Sequence, residues 1–377
     1  MLAYDLLRFI WWALLGILLI GFAVLDGYDL GTAMLLPFVG KTDGERRQAR
    51  ETIEANWEGH QVWFILGGGA VFAAWPFLYA ASFSGFYVAM LLVLLALIVR
   101  PVGFAFRDRI PDPRWRSIWD WALAIGGFVP SLVFGVAFGN LLQGVPFDLD
   151  QDLRVSYSGS FFGLLNPFGL LAGLLSVAML AMHGASWLAI KADGDVARRA
   201  EAIVRWAGLA ATALFALAGL WVAFGIQGYR IEGAISHTAP SNPLGKTVTR
   251  AAGAWFSNYG IHPWLIVAPI LGLLAPLVAA ARIHSHPLTG FLASAIGVAS
   301  IIATAGVSLF PFLMPSSTYP GTSLTVWDAS SSQLTLFIML ICVLIFLPIV
   351  LAYTAFALRV MHGRVRLADI ERRHSRY

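Results

Sequence analysis

Long apolar runs separated by short polar segments dominate the chain. A run of roughly 20 apolar residues is the length that an α-helix needs to cross about 30 Å of hydrocarbon. The runs are continuous rather than alternating, so they predict helices and argue against a membrane β-barrel. We predict nine membrane spans, at residues 7–34, 57–78, 81–102, 119–142, 163–190, 203–226, 262–282, 288–313 and 333–361.

Two of these assignments need a reason beyond hydropathy. The stretch 57–102 is too long for one helix and contains Pro76, so we divide it into two spans. The first apolar run has neither a clean basic segment before it nor a small-residue cleavage site after it. We therefore expect it to remain as the first span rather than act as a cleaved signal peptide.

The composition places the whole chain in the membrane. It is 58% hydrophobic and only 12% charged, whereas roughly a quarter of the residues of a soluble domain are charged. The mean hydropathy of +0.74 agrees with this. The single cysteine, Cys342, excludes an internal disulfide, a CxxC metal site and an iron–sulfur cluster. We predict an all-α polytopic membrane protein in which 1–377 forms one integral membrane domain.

The positions of the basic residues orient the spans. The 25 lysines and arginines concentrate in 37–56, 100–118, 191–205 and the tail after residue 361. Nine spans place all of these segments on one side, which the positive-inside rule identifies as the cytoplasm. We therefore predict an external N-terminus and a cytoplasmic C-terminus. Because the basic residues follow this rule, they give no indication of nucleic-acid binding.

Two carboxylates interrupt the end of the first span. Asp26 and Asp29 are three residues apart and share one face of the helix. A carboxylate at the centre of a span costs about 2.5–3.5 kcal/mol on insertion scales, and such residues often serve ions or protons. A role limited to capping or pairing near the interface is the alternative.

The second span begins on the same side with a polar segment, NWEGHQVW. Antiparallel packing is expected to bring its polar residues to the depth of the two aspartates, and Arg100 at the end of the third span is placed to neutralise one acid. Such a cluster suits a proton path, because a buried acid can bind and release protons. A buried ion-pair network that only fixes helix packing stays open as the alternative. The segment supplies Trp57, Glu58, His60 and Gln61.

Histidine gives less information. His183 is well inside a span, where it is either a haem ligand or, as we favour, a side chain bonded to a neighbouring helix. His284 and His286 provide two ligands, which do not make a metal site. We predict no metal site.

Several long motifs resemble subunit II of the cytochrome bd-type quinol oxidases. They cover the chain from about residue 4 to 360 and include LLRFIWWALLGILLIGFAVLDGYDLG, NWEGHQVWFILGGGAVFAAWP, RPVGFAFR, GVAFGNLLQGVPF, PFLMPSST and LTVWDASSSQLTL. The resemblance implies a subunit of a complex in the bacterial inner (cytoplasmic) membrane that oxidises quinol and reduces dioxygen to water. It also implies two four-helix bundles, 1–142 and 163–313, a last peripheral helix at 333–361 and a cytoplasmic tail at 362–377.

The resemblance further implies cofactors and partners. Haem b and haem d are expected in the partner, subunit I, and no haem in this chain. A small single-helix accessory subunit and membrane lipids are further expected partners. Some members hold a structural quinone in subunit II, so a quinone is a candidate cofactor here. The subunit is expected to support assembly and to contribute to a proton path from the cytoplasm, in an electrogenic oxidase of aerobic respiration.

The family's acidic positions carry over in part. Its acid in the second span falls on Glu58, where many members have aspartate, and the DG-aromatic-D pattern is present with Asp26 and Asp29. A further family carboxylate after RPVGF falls on Ala105, and Asp108 is the nearest substitute. The cytoplasmic entrance of the path is therefore not defined by the sequence.

Two alternatives compete with this interpretation. A proton- or ion-coupled secondary transporter would use the same acids, but the two halves lack clearly broken helices at matching positions. A purely structural subunit without a proton role is the other.

Overall fold

The computed structural model describes residues 2–374, with the backbone alone at positions 371, 373 and 374. Fourteen helices are found within this range. In chain order they are α1 Tyr4–Val39, α2 Asp43–Glu54, α3 Trp57–Ala74, α4 Pro76–Gly85, α5 Tyr87–Phe106, α6 Pro113–Gln143, α7 Phe161–Leu164, α8 Pro167–Lys191, α9 Gly194–Gly225, α10 Ser257–Ile261, α11 Val267–Arg282, α12 Pro287–Leu309, α13 Gln333–Val360 and α14 Leu367–His374.

The helical membrane fold is confirmed, whereas the number nine stays a prediction. Within the described chain, eight helices are long and apolar enough to cross a membrane. The predicted second span corresponds to α3, which has 18 residues. Its polar first turn, with Glu58, His60 and Gln61, lowers its hydropathy and separates it from the other eight.

The division after α3 is confirmed, but its form differs from the prediction. The backbone leaves helical geometry at Trp75, with φ −136° and ψ 75°, and Pro76 then occupies the first position of the short helix α4. Proline suits that position because its missing N–H has no partner there in any case. The next membrane helix, α5, begins at Tyr87, so the predicted span 81–102 starts six residues too early.

Two of the segments predicted as basic loops contain helix. The loop 37–56 holds α2, which begins with a capping box: the Thr42 side chain accepts from the Glu45 N–H, and Glu45 accepts from the Thr42 N–H. The loop 191–205 is mostly the first turns of α9. Hydropathy identifies only the apolar part of a helix. It therefore misses α2, which is polar, and the polar first turns of α9.

The loops on the opposite side contain strands that the sequence did not predict. The described residues form three two-stranded antiparallel sheets. Val145 and Pro315 join two of these loops, since the Val145 N–H donates to the Pro315 carbonyl at 2.8 Å. The strands are β1 Phe147–Leu149, β2 Val155–Tyr157, β3 Gln227–Glu232, β4 Thr247–Ala252, β5 Phe312–Met314 and β6 Leu324–Thr325.

Close helix contacts meet at the centre of the molecule. Helix α6 packs against both α1 and α8, which also pack against each other. Gly31 on α1 and Gly184 on α8 lie backbone to backbone, and Gly135 on α6 lies against Ala172 on α8. Small residues permit this approach in membrane helices.

The division into bundles 1–142 and 163–313 with a peripheral helix 333–361 stays a prediction. Of the predicted tail 362–377, residues 375–377 lie outside the described residues.

Candidate functional site

A buried ion pair joins α1 and α5. The Arg100 guanidinium donates to both carboxylate oxygens of Asp26, at 3.0 and 3.1 Å, and neither side chain is accessible to solvent. The Trp57 ring covers this pair, with its centroid 5.7 Å from Arg100 Cζ. A bidentate pair of this kind satisfies both charges and fixes their geometry. The prediction that Arg100 neutralises one acid therefore agrees with the structure.

The second aspartate has a different partner. Asp29 Oδ2 lies 2.7 Å from His60 Nδ1, and both side chains are buried. The other oxygen, Asp29 Oδ1, is buried without a hydrogen-bond partner among the described residues. A buried acceptor left without a partner is costly, and such groups often mark functional positions. Asp26 and Asp29 share a helix face as predicted, but only one of them is paired with a permanent charge.

Tyr28 connects this pair to the second half of the chain. Its hydroxyl lies 3.4 Å from His60 Nε2. Its ring stacks on Trp187 of α8, with the centroids 4.1 Å apart and the planes 16° apart. The edge of His183 lies against the same ring, at 6.0 Å between centroids. Sequence reasoning gave Tyr28 no role, since an aromatic residue between two aspartates carries no signal of its own.

Glu58 does not join the cluster. It is exposed on the surface of α3 and has no hydrogen-bond or ion-pair partner within residues 2–374. His60 is buried against Asp29, and residues two apart on a helix point in different directions. The packing of α3 that buries His60 therefore turns Glu58 outward. Gln61 is partly buried on the same helix.

Asp108 follows the end of α5 and lies in a separate network with arginines of α2. Its carboxylate is 2.6 Å from Arg50, 2.9 Å from Arg107 and 3.2 Å from Arg47. Partial burial opposes its ionisation, but these three charges prevail and lower the pKa of Asp108 to about 2. A carboxylate that stays ionised at neutral pH does not exchange protons with a path. Asp108 is therefore a poor substitute for the family carboxylate at Ala105.

The same network contains a residue that sequence reasoning missed. Asp120 is fully buried near the start of α6, 2.6 Å from Arg107 Nε and 3.1 Å from Arg46. The motif WDWAL contains it, but a single acid beside a basic loop is usually an interfacial residue. Its arginine partners lie at least 13 positions away in the sequence and could be found only from the fold.

His183 has the hydrogen bonds that the non-haem interpretation predicts. Its Nε2 donates to the Val24 carbonyl of α1 at 2.9 Å, and its Nδ1 lies 2.8 Å from Ser294 Oγ of α12. Across the part of the chain that the structure describes, no group of three or more His, Cys, Asp and Glu side chains is placed to hold a metal ion.

A large apolar cavity lies beside the cluster, between α1, α3, α4 and α12. Its volume is about 890 Å³. Glycines from three helices open it, because a Cβ built on any of them would meet no described atom within 4 Å. These glycines are Gly16, Gly67, Gly68, Gly69 and Gly306. Aromatic side chains complete the wall, among them Trp12, Phe22, Trp63, Phe72, Tyr79 and Phe83.

Fold and site together define a polytopic helical membrane protein with acids buried between its helices. A statistical model of the family described as cytochrome bd terminal oxidase subunit II matches residues 7–361. The chain belongs to the cytochrome bd terminal oxidase subunit II family, and it is a subunit of an oxidase of that type. The predicted family is confirmed, and none of the comparisons favours the transporter alternative.

Individual relatives agree over the full length. The chain is 52% identical over 380 residues to cytochrome bd-I ubiquinol oxidase subunit 2 of Escherichia coli K12, and 49% identical over 379 residues to probable cytochrome oxidase subunit 2 of Haemophilus influenzae. Both alignments cover 100% of each chain. A bd oxidase structure from Geobacillus thermodenitrificans is similar with a TM-score of 0.66, covering 94% of this chain and 98% of that chain at 15% identity. That similarity concerns the fold alone.

Proposed function

We propose that this chain is the second subunit of a complex that oxidises quinol and reduces dioxygen to water in the bacterial cytoplasmic membrane. Haem b and haem d are assigned to subunit I, because the chain is similar in full to subunits named as the second of a cytochrome bd oxidase. The basic segments support a C-terminus in the cytoplasm and an N-terminus outside. A small single-helix subunit and membrane lipids complete the assembly.

Within that complex, the chain would form part of the path that carries protons from the cytoplasm to the oxygen-reducing haem. The observation that carries this proposal is Asp29, a buried carboxylate with one free oxygen and with histidine as its partner. Carboxyl and imidazole groups can both bind and release a proton. Asp26 does not share this arrangement, because both of its carboxylate oxygens accept hydrogen bonds from Arg100.

Glu58 is assigned to the surface that faces subunit I. It heads an exposed stripe on α3 whose members recur at the spacing of one helix face. A lipid-facing stripe has no need of a carboxylate, and a charge in hydrocarbon is expensive. Glu58 therefore fits a polar contact with the partner subunit, where it would pass protons across the interface. The stripe comprises Glu58, Val62, Ile65, Gly69 and Phe72.

Replacing Glu58 with glutamine tests the proposal. Glutamine keeps the size and polarity of the side chain but removes the titratable group, so we expect oxygen consumption to fall at least about tenfold. The haem content of the purified complex should not change, because Glu58 has no hydrogen bond or ion pair among the described residues that glutamine would break. Oxygen uptake and haem spectra are measured on the same preparation.

Glu51 provides the matched control. It lies on α2, seven residues before Glu58, and Glu51→Gln removes the same group outside the proposed path. Its uptake rate should equal that of the native complex. Full activity of the Glu58 variant would remove Glu58 from the path, and an equal loss in both variants would point to a general electrostatic effect.

We also propose that the glycine-lined cavity holds a structural quinone. The cavity is apolar, and its aromatic walls suit an isoprenoid tail and the face of a quinone ring. We expect about one quinone per complex to survive detergent extraction. Gly68→Leu should displace it, whereas Gly219→Leu, which also faces open space, should not. Equal quinone content in both variants would exclude this cavity.

A further inference from the structure

Tyr28 is a buried titratable side chain beside Asp29 and His60. It has no role in the proton path proposed above. It is 2% exposed, and its hydroxyl has a single hydrogen-bond neighbour among the described residues, His60 Nε2. The stack on Trp187 and the edge of Phe291, 6.2 Å away, hold the ring in place. The direction of the hydroxyl is therefore fixed by the packing of α1 against α8 and α12.

We propose that Tyr28 is a positioning residue: its hydroxyl donates to His60 Nε2, keeps the histidine proton on Nδ1, and leaves Asp29 Oδ1 as the atom that binds and releases the transported proton. The inference rests on the proposed role of Asp29 and deepens it, because it names the reactive oxygen and the residue that selects it.

The two ring nitrogens of His60 face different partners, Nε2 towards Tyr28 and Nδ1 towards Asp29. A neutral imidazole carries one proton, and the hydrogen bond at one nitrogen decides which nitrogen holds it. A phenol hydroxyl is neutral near pH 7 and has one proton to donate. When Tyr28 donates to Nε2, that nitrogen is an acceptor, and the imidazole proton must lie on Nδ1. The Nδ1–H then donates to Asp29 Oδ2 across 2.7 Å.

The two oxygens of Asp29 then have different tasks. Oδ2 accepts from Nδ1–H whether the carboxyl group is charged or neutral. On uptake, an O–H bond forms at Oδ1, and on release the same bond breaks, while every bond of His60 stays as it was. Oδ1 is the oxygen that the structure leaves without a partner. A proton can therefore enter and leave without rearranging the buried histidine.

The other ionisable groups around the site do not compete for this proton. Asp26 on α1 is held by Arg100 of α5. His183 of α8 faces only the edge of the Tyr28 ring, and its own nitrogens are bonded to Val24 and Ser294. On α3, Glu58 is exposed on a different side of the helix from His60.

Without the Tyr28 hydroxyl, the alternative tautomer becomes accessible. The histidine proton can then move to Nε2, and Nδ1 becomes an acceptor for a proton on Asp29 Oδ2. A proton held between Oδ2 and Nδ1 is bound more tightly than one on a free oxygen. Its release is slower, and the site stays protonated to a higher pH.

Tyr28→Phe in the intact complex tests this, because phenylalanine keeps the stack on Trp187. We expect the maximal rate of oxygen consumption to fall by about two- to fivefold. The alkaline limb of the pH–rate profile should move upward by about half to one pH unit, the effect of one neutral hydrogen bond. The infrared carbonyl band of protonated Asp29, identified by its loss in Asp29→Asn, should shift because the protonated oxygen changes.

Tyr229→Phe is the matched control. It also removes a buried hydroxyl with one 3.4 Å hydrogen bond, to the Gln143 carbonyl, in a different part of the molecule. Its profile should coincide with the native one. A Tyr28→Phe profile and carbonyl band that both match the native complex would overturn the inference, whereas a fully active Asp29→Asn variant would overturn the proposed function itself.

A measurement on the native protein covers the case in which Tyr28→Phe does not assemble. Solid-state nitrogen NMR of the histidine-labelled complex reports which ring nitrogen carries the proton, and His60→Gln identifies the signal. We expect the Nδ1–H form of His60 throughout the working pH range. A proton on Nε2, or an exchange between the two forms with pH, would contradict the assignment.

Discussion

Replacing Arg100 with glutamine is expected to prevent most of this chain from assembling into a stable complex. The substitution leaves the Asp26 carboxylate buried between α1 and α5 without its cation. Breaking a buried ion pair by removing one partner costs about 3–5 kcal/mol, and the total stability of a folded protein is about 5–15 kcal/mol. The measurements are the yield of complex recovered with subunit I and its midpoint of thermal unfolding, both of which should fall.

The double variant Asp26→Asn with Arg100→Gln distinguishes the effect of an unpaired carboxylate at Asp26 from the effect of losing the arginine side chain itself. It replaces the ion pair by two neutral amides that can still bond each other, so we expect recovery of a large part of the yield. Arg109→Gln is the control for loss of an arginine, because Arg109 is exposed just after the end of α5. A single Arg100 variant as stable as the native complex would show that the pair does not hold α1 to α5.

The apolar pattern alone predicted the class of fold, and the reason is physical. A membrane helix must satisfy all of its backbone groups internally, so its length and hydropathy are visible in the sequence. Helices that continue into polar sequence, such as the start of α9 and all of α2, lack that signal. The hairpin of β3 and β4 lies outside the apolar runs, and its strands pair residues that are 15 to 25 positions apart in the sequence.

The site was predictable only as far as local spacing determines it. The three-residue spacing of Asp26 and Asp29 correctly placed them on one face, and Arg100 was correctly identified as a neutralising charge. The spacing could not say which acid Arg100 would bind, because that depends on how α5 is rotated against α1. The rotation of α3 about its axis likewise determines that His60, and not Glu58, faces Asp29.

This division gives the two aspartates different chemistry. The guanidinium of Arg100 carries a permanent positive charge, and its bidentate pair with Asp26 joins α1 to α5. The partner of Asp29 is a histidine, which can be neutral, so Asp29 is not paired with a permanent positive charge. Two acids on one face of a helix thus have different environments, according to the residue that each one meets across the helix interface.

Gly31→Ala is expected to disrupt the contact between the two halves of the chain. A Cβ at position 31 would overlap the carbonyl oxygen of Leu180 and lie 2.9 Å from the Cα of Gly184. Both obstacles are backbone atoms of α8 and cannot move aside as a side chain would. Overpacking of this kind costs about 1–3 kcal/mol or more. We expect a lower yield of complex and a lower thermal midpoint.

Gly219→Ala on α9 is the matched control for this experiment. A Cβ there would meet no atom of the described chain within 4 Å, and alanine favours a helix over glycine by about 1 kcal/mol. The control should therefore be neutral or slightly stabilising. If both variants assemble equally well, α1 and α8 cannot be in backbone contact. The stack of Tyr28 on Trp187 of α8 would then be absent as well. Without it, the Tyr28 hydroxyl would not be held against His60, and the assignment of the proton to Asp29 Oδ1 would lose its support.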